Sequence, residues 1–139
     1  MYTRELRLPD APQGQQAGQE LCTLADGRTV VALFDGFTLP ADQHADIAAS
    51  IEPLDLTDTL REEIKAASPH VRLIAHRVQE QIRAMYSAED EMYFARIGTG
   101  KALGMYEFEP GEAEALTVYG EHVEAVRQWG RAERAKLGL

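Results

Sequence analysis

Apolar residues follow two rhythms along the chain, and the change falls near Pro53. Before it they come in short bursts between turn signals. Residues 2–8 place Leu6 and Leu8 on one side of an extended segment that ends at Pro9-Asp10. Residues 11–19 have no apolar period and read as a loop or linker. Residues 21–24 and 29–34 are rich in β-branched and apolar side chains and flank Asp26-Gly27, a pair that tolerates the positive φ of a tight turn. They predict a β-hairpin whose second strand closes at Asp35-Gly36-Phe37. After Pro40, residues 41–51 suit a short helix with Ile47 and Ile51 on one face.

From residue 54 onward the spacing is helical. Leu60, Ile64, Ala67, Val71, Ile74, Val78, Gln81, Met85, Ala88, Met92 and Ala95 recur at alternating four- and three-residue steps, the a/d spacing of a coiled-coil seam. Gln81 is its one polar member. Ser68-Pro69 has the chemistry of an N-cap followed by proline at the first helical position, so a new helix is expected there. Ser87-Ala88-Glu89-Asp90 resembles a capping box and suggests a break near Tyr86. Without that break, residues 69–97 would form a rod of roughly 44 Å, which would need an elongated shape or a partner.

The glycine-rich residues 98–104 are expected to end this run as a loop, with strand-like alternation at 105–109. Residues 112–136 form the last helix, acidic early and basic late as the helix dipole prefers. Leu116, Tyr119, Val123, Val126, Gly130, Glu133 and Leu137 give it a seam of its own, which degrades at Gly130 and Glu133. Gly120 and Gly130 each cost about 1 kcal/mol relative to alanine, so one of them is expected to mark a kink or a close helix–helix approach. The pattern predicts an α+β chain: a β-rich module over 1–52, then a helical region over 53–139 arranged as a helical hairpin or coiled-coil-like seam.

The 139 residues suit one domain, or a small domain with a helical extension, better than two independent globular domains. With 23 acidic against 14 basic residues and a net charge of −9, a role in neutralising nucleic-acid phosphate is disfavoured. No apolar run nears the ~20 residues of a membrane span, and the N-terminus lacks the apolar core of a signal peptide. A soluble, non-exported chain is expected. One cysteine, Cys22, leaves no disulfide framework and no cysteine-based zinc site. Its place between Leu21 and Thr23 in a strand reads as a buried structural thiol.

Candidate chemistry is thin. Lys101 is followed by Ala102 and preceded by a helical pattern, so residues 98–104 depart from a phosphate-binding P-loop. His76 and Glu80 share a helix face but lack a third metal ligand; His44, His70 and His122 lie elsewhere. The acidic runs at 89–91 and 107–114 read as solvated faces. No catalytic residue, metal site or cofactor is expected. Tyr86, Tyr93, Tyr106, Tyr119 and Trp129 either anchor a protein interface or complete a small core.

Two segments carry a resemblance. Residues 70–74 with 82–91, and the ending Val126-Arg127-Gln128-Trp129-Gly130-Arg131-Ala132-Glu133-Arg134, resemble the C-terminal region of small proteins encoded beside tail and tail-fibre genes of tailed bacteriophages and prophages. The likeness spans roughly residues 70–134, turns on a helical pattern with a Tyr-Ser-x-x-Asp-Glu break, and brings no catalytic residue with it. It implies a structural or adaptor protein of the tail, baseplate or tail fibre, in the virion or in the host cytoplasm during assembly. Expected partners are other tail or tail-fibre proteins or further copies of the chain, a trimer among the options, with neither nucleic acid nor membrane. The expected contact residues are Val71, Ile74, Val78, Gln81, Met85, Tyr86, Met92, Tyr119 and Trp129. Two readings compete: a tail-fibre assembly chaperone not retained in the virion, and a small enzyme with its site between the two halves.

Overall fold

The structure is a computed structural model that describes residues 18–33, 36–38 and 41–139. An antiparallel two-stranded hairpin is followed by a helical C-terminal part, an α+β architecture in which 58% of the described residues are helical. Strands β1 (Gln19–Thr23) and β2 (Thr29–Ala32) precede helices α1 (Ala45–Ala48), α2 (Asp58–Ala67), α3 (Pro69–Arg83), α4 (Ala88–Ala102) and α5 (Glu112–Lys136). The expected extended segment at 2–8 and most of the expected linker at 11–19 lie outside the described residues. So do Phe34 and Asp35 of the expected second strand. The described residues fall into two compact units: those up to Arg72 together with Ala135–Leu139, and Leu73–Arg134. In the first unit α2 packs on β1.

In the first unit the hairpin turns through three residues. Gly27 N–H bonds the Leu24 carbonyl at 3.0 Å, Gly27 takes φ +87°, and Leu24 N–H closes the loop on the Arg28 carbonyl at 2.8 Å. This is the turn-plus-bulge connection that an αL glycine permits. β1 begins at Gln19, two residues earlier than the apolar pattern suggests, and it is irregular. Glu20 pairs with Val31 and Cys22 with Val30, so Leu21 is an extra residue. A bulge sets two residues against one and interrupts the in–out alternation, which accounts for Leu21 and Cys22 both being buried. Leu24, Ile64 and Leu137 are the other buried apolar side chains of this unit.

Thr57 caps α2 by accepting the Leu60 N–H at 3.2 Å. At the other end, Ser68 is fully buried and serves both neighbouring helices. Its N–H closes α2 on the Ile64 carbonyl at 2.8 Å, and its carbonyl accepts the Arg72 N–H at 3.2 Å in the first turn of α3. The extended backbone of Ser68 and the proline after it separate the two helices. His70 ties α3 to β1. Its Nε2–H donates to the Glu20 carbonyl at 3.0 Å while Nδ1 accepts from the Gln19 side chain at 3.0 Å. The short helix expected over 41–51 forms only at Ala45–Ala48, where His44 Nδ1 accepts the Asp46 N–H at 3.3 Å.

In the second unit α3 buries a line that departs from the expected seam. Ile74 and Val78 are half-buried, the next buried residue is Ile82 rather than Gln81, and Tyr86 follows in place of Met85. The reason is helical pitch. The buried line follows the i+4 ridge, which advances by about 40° around the helix at each step, so the packed face slants across α3 instead of following the heptad. Gln81 faces solvent and lies off the buried line. α3 ends at Arg83, and Ser87 opens α4 with a complete capping box: its Oγ accepts the Asp90 N–H at 3.1 Å while its own N–H donates to the Asp90 carboxylate at 2.8 Å.

Two further expectations are corrected. Residues 98–102 belong to α4 and form no loop, and residues 105–109 form no strand. The glycines there make room for neighbours. A Cβ on Gly100 would lie 2.8 Å from Cβ of Tyr106, so the chain after α4 folds back against the helix only because that position is bare.

α5 keeps its seam through the second unit: Leu116, Tyr119, Val123 and Glu133 are half-buried, Val126 and Gly130 buried. Gly130 does not spoil it. A Cβ there would meet Cγ2 of Val78 at 2.6 Å and Cγ2 of Ile74 at 3.9 Å, which makes Gly130 the close-approach glycine of the pair, whereas Gly120 has nothing within 4 Å.

The two glycines should respond oppositely to one substitution. Gly120→Ala should stabilise the chain by up to about 1 kcal/mol through helix propensity. Gly130→Ala should destabilise it by about 1–3 kcal/mol, because the β-branched Val78 has little rotamer freedom with which to yield. Denaturant unfolding of the two variants checks the difference in sign.

Candidate interface on helix α4

α4 carries apolar side chains on both of its faces. The inner face holds Ile97, 2% exposed, with half-buried Tyr93, Phe94 and Gly98. At 100° per residue, the opposite face presents Ala88, Met92, Ala95, Thr99, Ala102 and, at the C-cap, Leu103. All six are exposed, Met92 at 73% and Leu103 at 67%. None is charged, whereas a surface helix ordinarily points its charged residues outward. The first five are spaced four, three, four and three apart, so this is a heptad stripe with no partner among the described residues.

One carboxylate ties the inner face of α4 to α5 and so helps hold this stripe outward. Glu112, in the first turn of α5, accepts hydrogen bonds from three donors. Tyr93 Oη of α4 bonds Oε1; Tyr106 Oη lies 2.9 Å from Oε1 and 2.8 Å from Oε2; the Glu109 N–H donates to Oε2 at 2.8 Å. These donors hold the Glu112 carboxyl below the usual carboxylate range, Tyr93 contributing most. The same carboxylate raises both phenols, Tyr106 to about 12. Beside it Lys101 pairs with Glu107 at 2.7 Å and lies over the Phe108 ring, fixing the returning chain on α4.

An aromatic group closes the turn between α3 and α4. Phe94 and Tyr119 stack at 4.6 Å, and Tyr86 meets both edge-on, at 5.9 and 5.0 Å. The His122 ring lies 5.6 Å from that of Tyr86. Such pairs contribute about 0.5–1.5 kcal/mol beyond their area, and here they join α4 to α5.

The expected contact residues thus fall into two sets. Ile74, Val78, Tyr86, Tyr119 and Trp129 are half-buried; the first two pack at Gly130 and the tyrosines belong to the aromatic group. Val71 is half-buried in the first unit. Gln81, Met85 and Met92 are exposed, Met85 at 64%, and of these Met92 lies on the α4 stripe. Thr99, Ala102 and Leu103, which share that stripe, were not among the expected residues. Their signal was the heptad step continuing past Ala95, hidden by reading Gly98 as a helix end.

Elsewhere, His76 Nδ1 lies 3.2 Å from Glu80 on an exposed face of α3, beside an open hollow of about 370 Å³ lined also by Gln79, Arg83 and Ala84. Among the described residues no three His, Cys, Asp or Glu side chains converge on one point, and no helix is long and apolar enough to cross a membrane. No family model, curated protein or solved structure matches the chain.

Replacing Glu112 with Gln should let both phenols titrate closer to their ordinary value. Raised folded-state values mean that each tyrosine contribution to stability is complete below about pH 10 and is lost as pH rises through the folded value, which for Tyr106 is about 12. The lowered Glu112 contribution is complete above the ordinary carboxylate pKa and is lost as pH falls through its folded value. Spectrophotometric titration of tyrosine in wild type and Glu112→Gln checks this; a high-pH tyrosine transition unchanged by the substitution contradicts it.

Proposed function

We propose that the chain is a structural or adaptor component of a phage tail, baseplate or tail-fibre assembly, acting through protein–protein contact. The observation that carries this reading is the exposed, uncharged heptad stripe of α4, a surface suited to another helix and to little else. The resemblance over residues 70–134 supports the tail context and spans α4 entirely. The net charge of −9 argues against phosphate as the binding partner. The chain acts by shape and contact, without a catalytic residue or cofactor, in the virion or in the host cytoplasm while the tail is built.

The test is to tag the chain in the host that encodes it, induce particles and purify them by density. It should sediment with intact particles, and Met92→Asp should lower its incorporation at least ~10-fold while leaving its circular dichroism unchanged. Recovery only with unfinished tails would establish the assembly-chaperone reading instead. Absence from both fractions would refute a role in tails.

A further inference from the structure

The charges that border the α4 stripe specify its partner. Glu89 and Arg96 are both exposed, lie on the same flank, and are seven residues apart, about 10 Å along the axis. Arg96 sits near the Tyr93 ring, with its guanidinium carbon 5.9 Å from the centroid. The opposite flank holds Glu91 and Gly98, both half-buried, and Glu91 is drawn to Arg83 at 3.9 Å. Only the Glu89/Arg96 flank is open to a partner. When two copies of one helix pack face to face, a flank meets its own counterpart in the antiparallel arrangement and the opposite flank in the parallel one. The open flank is acidic toward the N-terminus and basic toward the C-terminus, and so it is complementary to itself when reversed. A parallel pair would instead bring two acidic first turns, Glu89, Asp90 and Glu91, side by side.

We propose that α4 pairs antiparallel with α4 of a second copy of this chain, with Glu89 of each copy facing Arg96 of the other. This rests on the stripe being a contact surface, as argued above, and names what covers it. In this register Met92 of one copy lies against Ala95 of the other, and Ala88 against Thr99. A large side chain thus meets a small one at the Met92–Ala95 layers and two small ones meet at the Ala88–Thr99 layers, so the axes can approach to about 8 Å. The overlap is some 12 residues, or about 18 Å, so the contact lies in the small class of interfaces, and a dimer dissociating at about 1–100 µM is expected. The twofold symmetry duplicates the charge pair without any further residue.

Sedimentation velocity of the full chain across that concentration range tests the pairing. Wild type should pass from monomer to dimer. Ala95→Glu should remain monomeric throughout while keeping its circular dichroism, since position 95 is exposed. Glu89→Arg and Arg96→Glu should each weaken dimerisation about tenfold, and the two together should restore it to near the wild-type value. Failure of the double variant to recover, a dimer indifferent to Ala95→Glu, or a wild type monomeric at every concentration would each overturn the antiparallel pair. The last result, combined with loss of particle incorporation in Ala95→Glu, would assign the stripe to a different protein and leave the contact function standing. Unchanged incorporation in Ala95→Glu would remove the contact function as well.

Discussion

The Glu112 carboxylate helps determine what the second unit shows to its surroundings. α4 carries apolar residues on two opposite faces, with Glu89, Arg96 and Glu91 on the flanks between them. The Tyr93 phenol on Glu112, which also accepts from Tyr106, holds the face with the larger side chains inward. Hydrogen bonds to an ionised acceptor are roughly twice as strong as neutral ones and are directional. They help hold the face bearing Tyr93 and Ile97 in the interior and leave Met92 and Ala95 outside. The carboxylate also sits where the N-terminal end of α5 favours negative charge, so one group orients one helix while stabilising the start of another.

Features set by contiguous residues were legible in the sequence. Ser68-Pro69, the Ser87–Asp90 box, the hairpin around Gly27 and the full extent of α5 all rest on local backbone chemistry, which a short window contains. Features set by packing were not. Whether the buried line passes through Gln81 or Ile82 depends on the angle at which α3 crosses the helix it packs on, and that is decided by its neighbours. The bulge at Leu21 cannot be seen in the apolar pattern either, because two adjacent buried residues look the same whether the ladder is regular or not.

Glycine inside α4 was the most misleading signal. Gly98-Thr99-Gly100 has the composition of a loop, yet Gly100 is where Tyr106 presses on the helix, and the helix runs on to Ala102. Reading those glycines as an ending removed the last third of the stripe, including Thr99 and Leu103, from view. The candidate contact residues were therefore drawn mostly from α3 and the tyrosines, which the structure uses inside the unit. Of those residues only Met92 lies on the exposed α4 stripe.

The bulge in β1 has a practical consequence for chemical labelling. By turning both Leu21 and Cys22 inward, it buries the one thiol in the chain, and burial together with the nearby Glu63 charge raises its pKa. A neutral, covered thiol reacts slowly with maleimides and disulfides. A cysteine introduced at any exposed position would then be the fast-reacting site, so a fluorophore or spin label could be attached selectively without first replacing Cys22 and disturbing the strand it anchors.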